Sequence, residues 1–237
     1  MSQFIYGKNP VKQILLTKQG VQEVFLSQKD KEIEEACRKA HVSVQIVDKK
    51  TLQKMAGSSN HQGVVAKIED YKTYEVDDLI EAKHGEYGLI ILLDELEDPH
   101  NLGAILRTAD AVGADGVIFK KTHNVGLTPT VAKVSTGAIH TVKCAPVTNL
   151  VRTVQDLKKK GYWIVGTDMK GEDYRTLKYD FHTVLVIGNE GKGISRLLKE
   201  ECDYMVTIPM IGSISSLNAS VSAGILLYEI CGRRNVL

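Results

Sequence analysis

Long apolar runs, paired cysteines and an excess of charge of one sign are all missing from this 237-residue chain. No apolar run approaches the roughly 18 residues that a membrane-spanning helix requires, and the first residues lack the basic and then apolar pattern of a signal peptide. We therefore expect a cytoplasmic protein with no membrane partner. The length suffices for two domains, and a hydrophobic content of 43% is typical of a soluble globular chain.

Disulfide and metal-ligand spacings are missing as well. The four cysteines stand far apart without a C-x-x-C pair, and the seven histidines are scattered. Reduced, mostly buried thiols are therefore expected, and no metal site is predicted.

Basic residues occur in short clusters, although the net charge is only +1. This net charge argues against a uniformly positive surface but permits an RNA partner. Each cluster suits either phosphate contact or a solvated helix end or loop. The clusters are Lys49-Lys50, Lys120-Lys121, Lys158-Lys159-Lys160 and Arg233-Arg234.

Residues 1–70 predict a small α/β domain, and the polar stretch 71–86 predicts a linker to a second domain at 87–237. In the first domain Asn9 is expected to cap a helix whose first residue is Pro10. Alternating apolar and polar positions predict the remaining elements, which are strands at 21–26, 42–47 and 64–68 and helices at 30–40 and 51–55.

The second domain predicts strands that alternate with helices. Such alternation is typical of the α/β class, with a mainly parallel sheet and helices on both of its faces. Ligands of such sheets bind beyond the carboxyl ends of the strands. The predicted strands are 89–93, 116–119, 140–145, 162–167, 183–187 and 204–208, and the helices are 101–112, 128–135, 149–160, 194–200 and 219–231.

The first conspicuous motif follows the apolar strand 89–93. Asp98-Pro99 predicts a turn, and Asn101 is expected to start the next helix. Asn101 and Arg107 either face the mouth of a pocket or serve as a helix cap and a surface cation.

The second motif, I-G-N-E-G-K-G-I at 187–194, runs from a strand through three glycines into a helix. Glycines permit a close approach of the backbone to a ligand. The spacing fits neither a dinucleotide fingerprint nor a Walker loop, so an oxidoreductase or ATPase has little support. Glu190 is either a functional carboxylate or an exposed residue of a glycine-rich turn.

The third motif, 208–220, consists of small and hydroxylated residues between a strand and an apolar helix that Asn218 can cap. Ser213, Ser215 and Ser216 offer hydroxyl groups, but no G-x-S-x-G elbow marks a hydrolase serine. We interpret this segment as a loop that closes a cofactor and substrate pocket.

In order and spacing these motifs resemble the three signature blocks of the SpoU, or TrmH, family of RNA ribose 2′-O-methyltransferases. The matching blocks are N-L-G-A-I-L-R-T-A at 101–109, I-G-N-E-G-K-G-I at 187–194 and I-P-M…S-L-N-A-S-V at 208–221. The resemblance implies a trefoil-knotted, SPOUT-type methyltransferase domain that binds S-adenosylmethionine and works as a homodimer.

The first domain resembles the family's small RNA-binding module, which is related to ribosomal protein L30e. The similarity lies in Ile5-Tyr-Gly7 and His61-Gln-Gly63. This arrangement resembles bacterial enzymes that methylate a guanosine ribose in 23S rRNA. Methylation of tRNA or of another rRNA site, as in resistance enzymes, and a non-catalytic role in ribosome assembly remain alternatives.

The resemblance assigns site residues as follows. The catalytic and substrate-binding positions are Asn101, Arg107, Glu190, Ser216 and Asn218. The cofactor-binding positions are Gly188, Asn189, Gly191, Ile208, Met210 and Leu217. Candidate RNA contacts of the first domain are Lys8, Asn9, Asn60 and His61, and His61 is alternatively a loop residue bonded to its own backbone.

The chemistry requires that the ribose hydroxyl lose its proton while a neighbouring phosphate is held. Because arginine is effectively never deprotonated in proteins, we expect Arg107 to hold the phosphate and stabilise the developing alkoxide rather than act as the base. Glu190 either orients Arg107 or acts as a base through water.

Overall fold

The computed structural model describes residues 3–17, 20–122, 124–213 and 216–236. The chain divides into two compact units, Met1–Tyr71 and Lys72–Leu237. Among the described residues, none of the helices has the length and apolar character needed to cross a membrane.

The first unit is a four-stranded sheet in the order β1-β4-β2-β3, in which only β2 and β3 run parallel. Asp30 caps α2 by accepting the N–H groups of Glu32 and Ile33, at the start of the helix that the sequence predicts over 30–40. The elements are β1 (Gln3–Tyr6), α1 (Lys8–Thr17), β2 (Val21–Leu26), α2 (Lys31–Ala40), β3 (Ser43–Ile46), α3 (Lys49–Ala56) and β4 (Val64–Ile68).

Two features of the first unit differ from the prediction. Strand β1 was not expected, and it forms an edge of the sheet by pairing with β4. Helix α1 already begins at Lys8, so Asn9 lies inside its first turn and is not the cap. The turn at Gly7, whose φ is +97°, brings the chain from β1 directly into this helix.

The second unit contains a six-stranded sheet in the order β10-β8-β9-β5-β6-β7, and every adjacent pair of strands is parallel. This confirms the predicted α/β class. The elements are α4 (Val76–Glu81), β5 (Leu89–Leu93), α5 (Pro99–Ala111), β6 (Gly116–Lys120), α6 (Pro129–Val134), α7 (Ala138–Thr141), β7 (Cys144–Val147), α8 (Leu150–Lys159), β8 (Trp163–Asp173), β9 (Thr183–Ile187), α9 (Arg196–Glu200), β10 (Tyr204–Thr207) and α10 (Ala219–Arg233).

The stretch predicted as a linker belongs largely to the second unit. Helix α4 places Leu79 in the same buried cluster as Ile90, and a Cβ at Gly116 would lie 2.4 Å from Leu79 Cγ. Leu79, together with the partly buried Tyr74, Val76 and Ile80, therefore anchors a segment whose charged composition resembles a linker. Similarly, His140 lies in α7 rather than in the expected strand, and β7 begins only at Cys144.

The start of α5 also differs from the prediction. Asp98 is the N-cap and accepts the N–H of His100 at 2.8 Å, and Pro99 is the first helical residue. Asn101 therefore lies inside the helix, where its side chain is only 4% exposed. The aspartate–proline pair supplies both the cap and the preset φ angle, which frees Asn101 for other contacts.

Candidate functional site

A cavity of about 820 Å³ opens beside the carboxyl ends of β9 and β10 and the middle of β8. Its volume falls within the usual range for small-molecule sites. Buried apolar side chains from β9, β10 and α10, namely Ile187, Val206 and Leu226, contribute to its lining. All six predicted cofactor positions line this cavity, and they are Gly188, Asn189, Gly191, Ile208, Met210 and Leu217.

The glycine-rich motif after β9 folds into a tight turn that forms one wall of the cavity. Asn189 and Gly193 exchange two backbone hydrogen bonds of 3.0 and 2.8 Å. Gly188 packs directly against this turn, because an added Cβ would lie 2.4 Å from the carbonyl carbon of Gly193. Gly193 itself has a φ of +70°, which glycine adopts without strain.

Asn189 holds this turn in place through its side chain. Its Oδ1 accepts the N–H groups of Gly191 and Lys192 at 2.9 and 3.1 Å, and its Nδ2 donates to the carbonyl of Glu95 at 2.9 Å. The side chain of Asn189 thus links the glycine-rich turn to the loop after β5.

Sequence reasoning missed two carboxylates that shape this region. Asp94, which directly follows β5, is 4% exposed and accepts the N–H of Ser195 at 2.7 Å. Asp168 lines the cavity, and its hydrogen bond with Lys199 lowers the pKa of its carboxyl group. The position of Asp94 immediately after a buried strand was the available signal.

Three side chains from distant parts of the chain form a hydrogen-bonded cluster beside the cavity. Glu190 Oε1 accepts from Asn101 Nδ2 at 2.6 Å and from Asn218 Nδ2 at 2.8 Å. Asn218 Nδ2 also donates to Asn101 Oδ1 at 2.9 Å. The structure therefore brings together three of the five predicted catalytic residues.

Asn218 serves the fold and the cluster at the same time. Its Oδ1 accepts the N–H groups of Ser220 and Val221, which makes it the N-cap of α10 as the sequence predicts. Its Nδ2 is the group that reaches Asn101 and Glu190. Capping fixes the side chain in one orientation, so the start of α10 positions the cluster.

Arg107 lies apart from this cluster. It is six residues beyond Asn101 on α5, which places it about 9 Å along the helix and about 120° around it. Its side chain is exposed and has no hydrogen bond or ion pair within the described part of the chain. Of the two alternatives for Glu190, the one in which it orients Arg107 therefore has no contact to support it within this chain.

The loop before α10 places Ser216 and Leu217 on the cavity wall. Ser213 lines the cavity as well. Ser215, the remaining candidate hydroxyl, lies outside the described residues. Hydroxyl groups are thus available beside the Glu190 cluster.

The candidate RNA contacts of the first unit have different surroundings. Lys8 Nζ lies 2.7 Å from Asp30 Oδ2, and the hydrogen bond from Lys8 lowers the pKa of Asp30. His61 is 7% exposed, and its Nδ1 accepts the N–H of Gly63, so it is bonded to its own loop. Asn9 and Asn60 are exposed.

The four cysteines are free thiols. Burial raises the pKa of Cys37 to about 11 and that of Cys144 to about 12, which keeps both thiols protonated. Across the described ranges, no group of three or more His, Cys, Asp or Glu side chains could hold a metal ion.

A parallel α/β sheet whose carboxyl edge carries a small-molecule cavity, a glycine-rich turn and a polar cluster defines a cofactor-binding enzyme domain. The SpoU rRNA methylase family model matches residues 88–228 of the chain. The model for RNA 2′-O ribose methyltransferase substrate binding matches residues 4–74. The chain belongs to the SpoU, or TrmH, family of RNA methyltransferases, which confirms the resemblance of the three motifs.

Named relatives agree with this family. A Bacillus subtilis protein named "Putative TrmH family tRNA/rRNA methyltransferase YacO" is 45% identical over 240 residues, covering 98% of this chain and 96% of the relative. The SpoU methyltransferase AviRb from Streptomyces viridochromogenes, crystallised with AdoMet, has a TM-score of 0.67 at 27% identity, covering 100% of this chain and 92% of AviRb. An AdoMet-bound rRNA methyltransferase from Sinorhizobium meliloti has a TM-score of 0.65 at 27% identity, covering 100% of this chain and 88% of the relative.

Proposed function

We propose that the protein transfers a methyl group from S-adenosylmethionine to a ribose 2′-hydroxyl of RNA, with a guanosine of 23S rRNA as the target. One observation carries the proposal: the cavity lined by all six predicted cofactor residues is also lined by Glu190, whose carboxylate bonds to Asn101 and Asn218. A methyl donor in the cavity and a hydroxyl group at the cluster would therefore be neighbours.

The cavity fits S-adenosylmethionine in size and in character. Ile187, Val206 and Leu226 offer apolar surface to an adenine ring, and the glycine-rich turn offers backbone groups to polar parts of the ligand. Gly188 allows the turn to pack closely on the end of β9, because a Cβ there would collide with the backbone of Gly193 and Ile194. When bound, the cofactor supplies an electrophilic methyl group.

Glu190 orients the substrate hydroxyl in this proposal. Two side-chain amides hold its Oε1, whereas Oε2 has no hydrogen bond within the described part of the chain. Oε2 is thus available to accept a hydrogen bond from a ribose 2′-hydroxyl and to receive its proton, directly or through water. Asn101 and Asn218 keep the carboxylate in one position, which reduces the cost of orienting the reacting groups.

Arg107 holds a substrate phosphate in a site to which a second copy of the chain contributes. It does not reach Glu190 of its own chain, and it is exposed and unpaired among the described residues. Helix α10, which packs on α5, presents Val221 and Tyr228 at 48% and 51% exposure. These apolar side chains support a homodimer in which Arg107 serves the partner's site.

The first unit binds the RNA substrate. The match of residues 4–74 to a substrate-binding family model supports this role for the 1–70 domain. The choice of 23S rRNA rests on the resemblance of this domain to the L30e-like module, and it implies work in the cytoplasm. The trefoil knot that the family resemblance implies is part of the same proposal.

Methyl transfer to total RNA tests this function. RNA from a strain that lacks the gene is incubated with the protein and S-adenosylmethionine labelled in its methyl group, and the RNA is then fractionated by size. We expect the label in 23S rRNA. Label in tRNA or 16S rRNA would favour the alternative substrates, whereas no transfer to any RNA would overturn the enzymatic function and favour an assembly factor.

Mixing two inactive variants tests the shared site. Arg107→Ala and Glu190→Ala homodimers are unfolded together and refolded, so that half of the dimers combine the two chains. If Arg107 serves the partner's site, about a quarter of the wild-type activity returns, because each mixed dimer has one complete site of two. Activity no higher than that of the separate variants would exclude this arrangement.

A further inference from the structure

Of the basic clusters in the sequence, the one at residues 158–160 is neutralised by neighbouring carboxylates. Lys158 Nζ lies 2.8 Å from Asp203 Oδ1, and Lys159 Nζ lies 2.7 Å from Asp156 Oδ1. Lys160 pairs with Asp77. This cluster therefore carries little charge that is available to an anionic partner.

The pair Arg233-Arg234 is likewise engaged within the protein. Arg233 Nε lies 2.7 Å from Glu229 Oε1. Arg234 donates to the carbonyl groups of Phe181 and Tyr179 at 2.7 and 3.0 Å. The remaining pair outside the second unit, Lys49-Lys50, opens α3 of the first unit.

Lys120 and Lys121 differ from these clusters. Within the described ranges, neither side chain has a hydrogen bond or an ion pair. The backbone N–H of Lys121 donates to the carbonyl of Val147, but this bond does not involve its ammonium group. Glu95 and Glu97 occupy the neighbouring loop, but neither forms an ion pair with these lysines. Both ammonium groups therefore keep their charge available.

The position of this pair places it at the edge of the sheet that carries the site. Lys120 follows Phe119, which is level with Leu93 of β5, and Leu93 is level with Ile187 of β9. Two strand spacings separate the ends of β6 and β9, a distance of about 10 Å. The glycine-rich turn with Glu190 begins immediately after Ile187.

A second observation points to the same loop. Asn124 Nδ2 donates to the carbonyl of Leu93 at 3.1 Å, and Val125 donates to that of Leu96 at 2.7 Å, so the segment after β6 is fixed on the end of β5. Asn124 Oδ1 is buried and has no hydrogen-bond partner. An unmet buried acceptor is costly, which favours a donor such as a ribose 2′-hydroxyl of an RNA strand, since a backbone phosphate has no proton to donate.

We propose that Lys120 and Lys121 bind backbone phosphates of the RNA strand that leads to the site, and that Asn124 positions their loop. The proposal rests on the proposed function. It adds that the RNA strand runs past the carboxyl ends of β5 and β6 on its way to the site. Lysine binds phosphate as a point charge without base specificity, so the pair would hold the strand rather than select the nucleotide.

The double variant Lys120→Gln/Lys121→Gln tests the path, and Lys159→Gln/Lys160→Gln is the matched control. Both variants remove two lysine charges, but the control residues are already paired with carboxylates. The probe is total RNA from a strain that lacks the gene. Its binding is measured without cofactor, and kcat/KM for methyl transfer is measured from 0.05 to about 0.3 M salt.

We expect binding and kcat/KM of the Lys120/Lys121 variant to fall roughly 25-fold at about 0.1 M salt, because each lost phosphate contact removes about 0.7 from the salt exponent. The slope of log K for RNA binding against the logarithm of the salt concentration should become shallower by about 1.4. Binding and kcat/KM of the control variant should stay within about twofold of the wild type. The Kd for S-adenosylmethionine should not change. Equal losses in the two variants, or an unchanged slope, would overturn the path. Absence of methyl transfer by the wild type would instead refute the proposed function, and the binding measurement would still test the lysines.

Discussion

Polar side chains of the same kinds lie at both ends of the strands of the six-stranded sheet, which we call its amino edge and its carboxyl edge. The two ends differ in whether these side chains already have partners within the protein. At the amino edge, Arg234 donates to main-chain carbonyls, and Asp115 accepts the N–H groups of Leu89 and His84 at 2.6 and 3.1 Å. At the carboxyl edge, Asn124 Oδ1 and the ammonium groups of Lys120 and Lys121 have no partner within the described residues.

This difference separates groups that stabilise the fold from groups that are available to ligands. A buried polar group whose hydrogen bonds are complete has no remaining capacity for a ligand, and its removal leaves several partners unpaired. Exposed or incompletely bonded groups contribute little to stability but can bind a substrate. Arg234 and Arg107 illustrate the two cases, since burial lowers the pKa of Arg234 whereas Arg107 is exposed and unpaired in the described structure.

The largest expected effect is at the carboxyl edge. Glu190→Ala should reduce kcat for methyl transfer by about 10²–10³-fold, because it removes the acceptor that Asn101 and Asn218 hold in place. Its Kd for S-adenosylmethionine should change little, whereas its free energy of unfolding should fall by about 1–3 kcal/mol because the buried Asn101 amide loses its acceptor. Glu200→Ala, at an exposed carboxylate paired with Arg196, is the control. An unchanged kcat in Glu190→Ala would refute the role of the cluster.

Arg234→Ala should show the opposite pattern. It removes one donor from each of the carbonyls of Tyr87, Tyr179 and Phe181, so the free energy of unfolding should fall by about 2–4 kcal/mol in urea titrations. Activity per folded molecule should be kept at low temperature. Arg233→Ala, which breaks an exposed pair with Glu229, should cost less than about 1 kcal/mol. Equal losses in the two variants would contradict the assignment of Arg234 to the fold.

Gly188→Ala sharpens the comparison within the site. A Cβ would lie 2.4 Å from the backbone of Gly193, so the glycine-rich turn must shift. We expect a loss of about 1–3 kcal/mol in stability and at least about a tenfold weaker binding of S-adenosylmethionine in calorimetric titrations. Gly191→Ala, whose Cβ would meet no atom closer than 3.6 Å, should bind nearly normally. Unchanged binding by Gly188→Ala would exclude this turn from the cofactor site.

The smallest effect concerns pH at the amino edge. His182 Nδ1 accepts the N–H of Gly88 at 2.8 Å, and burial, followed by the charges of Lys83 and Arg234, lowers the pKa of His182 below 6.5. The unfolded chain therefore binds a proton at a higher pH than the folded chain, so stability should fall as the pH drops through 6.5 towards the folded pKa.

The variant His182→Asn retains an acceptor oxygen but does not titrate. Its melting temperature should depend less on pH between about 5 and 7 than that of the wild type. An identical pH dependence in both proteins would show that other groups determine the stability in this range.

The sequence predicted the parts of the fold that local patterns determine. The boundaries of β2, β4, β5 and β9 agree with the structure, as does the cap Asn218. Helix α4 was missed because only its buried face, represented by Leu79, distinguishes it from a polar linker. Strand β1 was missed because its pairing with β4 spans about sixty residues of sequence.

The candidate site could be predicted as a set of residues but not as an arrangement. The contacts of Asn101 with Glu190 and Asn218 span 89 and 117 residues, and only the order of the strands brings them together. The separation of Arg107 from Glu190 follows from the six residues between Arg107 and Asn101 on α5, which place the two side chains on different faces of the helix. The engagement of Arg234 with carbonyl groups was invisible because a pair of arginines at a helix end equally suits phosphate contact.

The chemical position of the transferred methyl group tests the proposed function most directly. RNA methylated by the wild-type protein with labelled S-adenosylmethionine is digested with alkali, which cleaves only beside free 2′-hydroxyl groups. We predict that the label appears in alkali-stable dinucleotides and that Asn101→Ala, which breaks the hydrogen bond to Glu190, greatly reduces it. Label released in mononucleotides would place the methyl group on a base and contradict ribose 2′-O-methylation.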